Sequence, residues 1–224
     1  MVRETFERDL QKLQDDVLVL GSMVENAIVK SVQDLKRQDQ EAARELIAGD
    51  RKLNEKRFAI EEEALTLIAT QQPMAGDLRV IAAVLDITHE LERIGDYAKG
   101  IAKINLMIGK EPFIKPLVDV PRMAEKARDM LHRALEAFIN QDQALARAIP
   151  PEDDEVDCLY NQVYRELMTY ILADTRAIEQ ANYLLWVAHN LERAADRVTN
   201  ICERVVFTVT GEMIELDSEG NAAP

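Results

Sequence analysis

Apolar residues recur at steps of three and four along most of the chain. One such series is Val80, Val84, Ile87, Leu91, Ile94, Ala98 and Ile101. Another is Leu184, Val187, Leu191, Ala194, Val198, Ile201 and Val205. This spacing places apolar side chains on one face of an α-helix. No window alternates apolar and polar residues clearly enough to predict a strand, so the pattern predicts an all-α protein.

Two eight-residue stretches of the chain are nearly identical. "HELERIGD" begins at His89, and "HNLERAAD" begins at His189, one hundred positions later. The similarity extends upstream, where "QDQEAARELIAGD" at Gln38 resembles "QDQALARAIPPED" at Gln141. Similarity sustained over this length indicates an internal duplication rather than a chance repeat.

Each half of the chain is predicted to contain three helices. The expected helices are 5–37, 40–70 and 76–108 in the first half, and 123–140, 142–173 and 177–210 in the second. We expect a first repeat over 1–110, a Pro-rich linker over 111–122, a second repeat over 123–212 and a disordered tail over 213–224. The predicted fold is two tandem antiparallel three-helix bundles related by duplication, similar to spectrin repeats.

Composition narrows the classes of partner. The 224 residues include 27 Lys and Arg against 41 Asp and Glu, which gives a formal net charge of −14. This charge repels nucleic acid and anionic lipid and favours a basic protein surface or a metal cation. The low counts of 8 Gly and 7 Pro suit long helices.

Several features predict a cytoplasmic protein. The N-terminal residues lack the apolar core of a signal peptide, and no apolar run approaches the length of a membrane span. Cys158 and Cys202 have neither the spacing of a metal-binding pair nor that of a disulfide framework. We therefore expect both cysteines to be reduced.

The repeated motif carries a pair of acidic residues in each half. Glu92 and Asp96, like Glu192 and Asp196, are four positions apart and share one face of their helix. That face lies roughly 155° from the centre of the apolar stripe. On a single helix such a pair is more often a solvated charged surface than a binding site.

Hairpin geometry adds further acids to the second pair. In an antiparallel hairpin, residues at equal depth have a constant sum of residue numbers. This places Asp196 level with Asp153, and Glu192 level with Asp157. Four carboxylates at one depth repel each other unless protons or a cation neutralise them. The residues therefore predict a metal site of hard oxygen ligands, which suit iron, manganese, magnesium or calcium better than zinc.

The corresponding site in the first half is predicted to be weaker. There Asp96 lies level with Asp50, and Glu92 lies level with Asn54, so an amide replaces one of the four acids, and the surrounding "RKLNEKR" adds positive charge. The histidine that opens each motif lies one turn from a glutamate. Local hydrogen bonding is a more common role for a surface histidine than metal ligation.

The longer sequence around these motifs resembles the PhoU family of phosphate-signalling regulators. The resemblance is carried by "QQPMAGDLRVIAAVLDITHELERIGDYAKGIAK", "DDEVDCLYNQVYRELM" and "NLERAADRVTNICERVVFTVTG" and covers essentially the whole chain to Gly211. It implies paired three-helix bundles, often dimeric, that bind metal clusters on their outer surface. The implied ligands here are Asp50, Glu92, Asp96, Asp153, Asp157, Glu192 and Asp196, with Asn54 as an imperfect eighth position. Iron is the first expectation, with manganese, magnesium or zinc as alternatives.

The resemblance also implies a function. It implies a non-enzymatic negative regulator of phosphate uptake and starvation signalling. Its expected partners are the ATPase of the phosphate ABC transporter, a sensor histidine kinase and a second copy of the chain. It implies neither nucleic-acid binding nor membrane insertion. The alternative is a carboxylate-bridged di-iron or di-manganese enzyme. Such enzymes place their acids in the bundle core, so the outward-facing acids favour the adaptor.

Overall fold

The structure is a computed structural model that describes residues 2–216. Its α-helices are α1 (Val2–Arg37), α2 (Gln40–Gln71), α3 (Ala75–Ile108), α4 (Asp119–Asn140), α5 (Gln143–Ala148), α6 (Asp153–Ala173) and α7 (Ile178–Thr210). Two 3-10 turns, Pro150–Glu152 and Thr175–Ala177, precede α6 and α7. No strand occurs in residues 2–216, and the all-α prediction is confirmed.

The same capped turn begins the second helix of each half. Asp39 precedes α2 and Asp142 precedes α5, and each carboxylate accepts hydrogen bonds from two backbone N–H groups of the following turn. A cap of this kind stabilises a helix by about 1 kcal/mol. The residues before the caps, Gln38 and Gln141, have positive φ angles of 54° and 51°. The duplication therefore extends to the backbone conformation of the turn.

The prediction of one continuous helix over 142–173 is wrong. Proline has no N–H to donate, and inside a helix its ring clashes with the carbonyl group four residues earlier. Pro150 and Pro151 accordingly end α5 at Ala148 and form a 3-10 turn, after which α6 begins at Asp153. The break places Asp153 in the first turn of a new helix.

The fourth helix begins earlier than expected. α4 starts at Asp119 rather than at residue 123, so the predicted linker is helical over its last residues. Pro121 is tolerated there because the N–H groups of the first helical turn have no partner within the helix. The connecting segment lies against the second half, where the Ile114 N–H donates to the side chain of Gln180 at 2.6 Å.

The predicted tail begins with residues that pack against the protein. Ile214 and Leu216 contact the core, and the Leu216 N–H donates to the Glu203 carboxylate at 2.9 Å. The rest of the predicted tail, 217–224, lies outside the described residues. Across 2–216, no helix is both long enough and apolar enough to cross a membrane.

The six long helices surround one continuous core. α1, α2 and α3 pack together, as do α4, α6 and α7, with α5 against α4 and α7. The halves meet where α3 packs on α7 and α1 packs on α4, so α2 and α6 flank this central layer. The largest fully buried side chains come from both halves and include Leu13, Ile60, Leu91, Met123 and Phe138.

α3 and α7 run antiparallel across the centre of the molecule. Pairs that face each other along this contact are Asp86 with Arg204, Glu90 with Arg197, Tyr97 with Arg193 and Gly100 with Asn190. Residue numbers thus rise along one helix as they fall along the other. Gly95 and its duplicate Ala195 come level at the middle, so an approximate twofold axis relates the halves.

The contact between α1 and α4 depends on a glycine. A Cβ atom at Gly21 would lie 2.2 Å from Cδ1 of Leu135, which is only 2% exposed and cannot turn into solvent. We expect Gly21→Val to lower the free energy of unfolding by about 1–3 kcal/mol through overpacking, as measured by chemical denaturation.

Gly49 on α2 is the matched control, because a Cβ there meets no atom within 4 Å. Gly49→Ala should raise the free energy of unfolding by up to about 1 kcal/mol through helix propensity. Similar stabilities for Gly21→Val and wild type would contradict the close packing of α1 on α4.

Candidate metal centre

The second half brings four carboxylates together between α6 and α7. Asp153 and Asp157 lie one turn apart at the start of α6, and Glu192 and Asp196 lie one turn apart on α7. The two helices pack against each other, and the pKa of Asp153 is raised by burial and then by the charges of Asp196, Asp157 and Glu192. The structure therefore groups the four residues that hairpin geometry placed at one depth.

Ionised carboxylates are unfavourable in this cluster. Burial, followed by the charges of Asp196 and Asp157, raises the pKa of Asp153 to about 7. The same causes in the same order raise the pKa of Glu192 to about 7. Burial and the charge of Asp196 also raise the pKa of Asp157. Near neutral pH the group therefore requires protons or a cation to offset its charge.

Two oxygens of the cluster are buried without a hydrogen-bond partner. They are Oδ1 of Asp153 and Oε2 of Glu192. His189 Nδ1 lies 3.2 Å from the glutamate oxygen, but the two groups are not aligned as a hydrogen bond. A buried oxygen left unsatisfied costs about 1–3 kcal/mol. Carboxylate oxygens without donors are the ligands that hard cations prefer, so these residues fit a metal ion in kind.

The side chains do not yet converge on one point. Within residues 2–216, no three His, Cys, Asp or Glu side chains are arranged so that they could hold a metal ion. Asp157 and Asp196 are exposed, whereas Asp153 and Glu192 are half-buried. Gathering the carboxylates around an ion therefore requires side-chain rotation, which the exposed pair is free to make.

A clamp that the sequence analysis missed holds the start of α6. Arg133 of α4 donates two hydrogen bonds of 2.7 Å to the Glu152 carboxylate, and Lys126 Nζ lies 2.7 Å from the same group. The hydrogen bonds from Arg133 are the main cause that lowers the pKa of Glu152 to about 2. Because Glu152 directly precedes Asp153, the clamp fixes the first turn that carries this acid. No periodic pattern reveals the pairing, since it joins a 3-10 turn to a different helix.

Two of the three acids of the first half are already paired with a lysine. Lys99 Nζ lies 2.6 Å from Asp50 Oδ2 and 3.5 Å from Asp96 Oδ1. Asn54 Nδ2 donates to the same oxygen of Asp50 at 3.2 Å. Glu92 is half-buried, one turn before Asp96. The weakness predicted from Asn54 and from the basic residues of "RKLNEKR" has a further cause in Lys99, which an alignment of the two motifs through residue 99 would reveal.

The two motif histidines have different surroundings. His89 accepts a hydrogen bond from Arg93 Nε at 3.2 Å. His189 lies with its ring centre 5.6 Å from that of Trp186 and 6.1 Å from that of Tyr160. Trp186 is 52% exposed, so this aromatic group reaches the surface beside the acid cluster.

Comparisons with known proteins agree along almost the whole chain. A family model described as the PhoU domain matches residues 17–104 and 120–205. The phosphate-specific transport system accessory protein PhoU homolog of Aquifex aeolicus is 38% identical over 208 residues, which are 93% of this chain and 94% of that protein. The phosphate-specific transport system accessory protein PhoU of Escherichia coli is 34% identical over 207 residues, 92% of this chain and 86% of that protein.

Two crystal structures have the same fold. The phosphate transport system regulatory protein PhoU from Streptococcus pneumoniae superposes with a TM-score of 0.87 at 30% identity, covering 94% of this chain and 99% of that one. PhoU from Pseudomonas aeruginosa superposes with a TM-score of 0.87 at 32% identity, covering 92% of this chain and 100% of that one.

The raised pKa values predict a pH-dependent stability. Between about pH 4 and 7 the folded protein holds protons on Asp153 and Glu192 that the unfolded chain releases. Their contribution to stability is therefore present at low pH and lost as the pH rises to about 7. We expect metal-free Asp153→Asn to be more stable than wild type at pH 8, on the order of 1 kcal/mol, and equally stable at pH 4. Thermal unfolding of the variant and the wild type at pH 8 and at pH 4, in buffer that contains a chelator, measures these differences.

Glu92→Gln is the matched control, because position 92 is the duplicate of position 192 in the half that contains Lys99. It should keep the wild-type dependence of stability on pH. An Asp153→Asn profile parallel to that of wild type would show that the second-half acids do not repel each other in the folded state.

Proposed function

Because the chain belongs to the PhoU family, we propose that it is an accessory protein of a phosphate transport system that restrains phosphate uptake and the starvation response. One observation carries the proposal. The family's domain matches both halves, at residues 17–104 and 120–205, and similar relatives named as accessory proteins align over nearly their full length. These relatives carry no enzymatic name, which supports a regulatory rather than a catalytic role.

The proposed partners are cytoplasmic. They are the ATPase of the phosphate ABC transporter and the cytoplasmic part of a sensor histidine kinase, and the protein itself acts as a homodimer. A net charge of −14 favours docking on basic surfaces of these proteins. Attraction of this kind weakens with added salt, because ions screen exposed charges over about 10 Å at 0.1 M.

The proposed cofactor is a metal ion, with iron first and manganese, magnesium or zinc as alternatives. In the second half Asp153, Asp157, Glu192 and Asp196 would hold it through carboxylate oxygens. A bound cation would neutralise the cluster and cross-link α6 to α7. What supports this site is the pair of buried oxygens without donors. Asp50, Glu92 and Asp96 form the weaker first-half candidate, because Lys99 already pairs with two of them.

The site favours an adaptor over a carboxylate-bridged oxidase. Enzymes of that class bind their metals inside a helical bundle, where the substrate and oxygen are protected from bulk water. Here Asp157 and Asp196 are exposed at the surface. Multiple turnovers of iron-loaded protein with oxygen or peroxide would contradict the regulatory assignment.

Replacing the second-half acids should remove the response to metal. A metal ion that binds only the folded state, at a free concentration one hundred times its Kd, raises the free energy of unfolding by about 2.7 kcal/mol. We expect iron or manganese to raise the unfolding temperature of the wild type but not that of Glu192→Ala/Asp196→Ala. Without metal, the free energy of unfolding of the variant should equal that of the wild type or exceed it by about 0.5 kcal/mol, because repulsion between the carboxylates is relieved.

The matched control is Glu92→Ala/Asp96→Ala, which removes the duplicate acids of the first half. It should keep most of the wild-type stabilisation by metal. If metal stabilises the wild type and both variants equally, the second-half carboxylates are only a solvated surface.

The regulatory role predicts repression and binding together. In bacteria that lack their own PhoU-family protein, this chain should restore repression of a phosphate-starvation reporter in phosphate-rich medium. The purified protein should also retain the transporter ATPase and the kinase fragment at low salt, with less retained at moderate salt. Reporter activity unchanged by the chain, or no retention at low salt with metal present, would rule the assignment out.

A further inference from the structure

The duplicated halves differ in charge at the position three residues after the motif aspartate. Lys99 follows Asp96 by three residues, and the duplicate position holds Thr199. The Lys99 ammonium lies 2.6 Å from Asp50 Oδ2 and 3.5 Å from Asp96 Oδ1. The first half therefore contains a cation of its own where the second half contains a neutral side chain.

The surroundings hold this lysine in place. Its side chain is 25% exposed and that of Asp50 only 11%, so the ion pair is shielded from solvent. Lys99 also lines a cavity of about 240 Å³ together with Asp50, Leu53 and Gly95. A lysine stem that covers apolar surface while its ammonium reaches a carboxylate is a stable arrangement.

The two acid groups also differ in the number of hydrogen bonds that their buried oxygens accept. In the first half Asp50 Oδ2 accepts from both Lys99 and Asn54, at 2.6 and 3.2 Å. In the second half Oδ1 of Asp153 and Oε2 of Glu192 are buried and accept from no donor. Asp50 is therefore satisfied by donors of the protein, whereas one oxygen each of Asp153 and Glu192 is not.

We propose that Lys99 is a built-in counter-ion that takes the place of a metal ion in the first half, so that the second half alone holds the metal. This inference rests on the proposed metal centre between α6 and α7. A metal at Asp50 and Asp96 would have to break the 2.6 Å ion pair and lie beside an ammonium of like charge. Lys99 therefore sets how many metal ions the chain binds.

Changing Lys99 to the residue of the second half should create a second metal site. We expect Lys99→Thr, dialysed against manganese, to hold about twice the metal per chain that the wild type holds, by elemental analysis. Lys99→Met, which keeps the apolar stem and removes the charge, should give the same gain and covers the case in which the threonine disturbs folding. Adding Asp50→Asn to Lys99→Met should abolish the gain.

Lys103→Thr is the matched control, because it removes an equal charge from an exposed position one turn further along α3. It should keep the wild-type metal content. The inference is overturned if both Lys99 variants hold no more metal than the wild type, or if Glu92→Ala/Asp96→Ala lowers the content of the wild type.

The proposed metal centre can fail separately from this inference. If Glu192→Ala/Asp196→Ala keeps the full wild-type content, the centre between α6 and α7 is wrong. The role of Lys99 is then still tested by two variants. Lys99→Met should hold more metal than the wild type, and the additional change Asp50→Asn should remove that gain.

Discussion

The antiparallel packing of α3 on α7 determines where the acids of both halves lie. Each helix buries its apolar stripe against the other and against its own bundle, so the motif acids lie at the edge of that packing, with Glu92 and Glu192 half-buried and Asp96 and Asp196 exposed. The prediction that all of these acids face fully outward is therefore wrong for the two glutamates. Gly95 and Ala195 come level at the middle of this contact. The two acid groups are consequently held near the same level of the molecule but on opposite flanks, one facing α2 and the other facing α6.

The carboxylates on each flank repel each other, and this repulsion is offset differently on the two flanks. On the α2 flank a lysine and an amide supply the N–H donors that the carboxylate needs. On the α6 flank burial and mutual repulsion raise the pKa of two acids to about 7, and two oxygens remain without donors. The duplicated motif therefore occurs in one form that contains its own cation and in one form that requires an external proton or cation.

Helix positions and the grouping of the second-half acids could be predicted because both depend on local rules. Apolar periodicity and capping residues act within a few turns, and the constant rise of a helix brings Glu192 level with Asp157. The break at Pro150 also follows a local rule, because a proline inside a helix removes one N–H donor and clashes with the preceding turn. The pairing of Arg133 with Glu152 could not be predicted, since it depends on how α4 packs against a turn.

The position of the α3–α7 contact also affects the order of folding. Within each half, successive helices such as α2 and α3 or α6 and α7 pack as hairpin partners, whereas the facing pairs of α3 and α7 join residues roughly one hundred positions apart along the chain. Closing a long loop costs entropy that is recovered only after the ends meet, so local contacts form faster. We expect the two halves to acquire helical structure independently and to dock as the last and slowest step. During synthesis, the first half would thus emerge from the ribosome and fold while the face of α3 that later packs on α7 is still exposed.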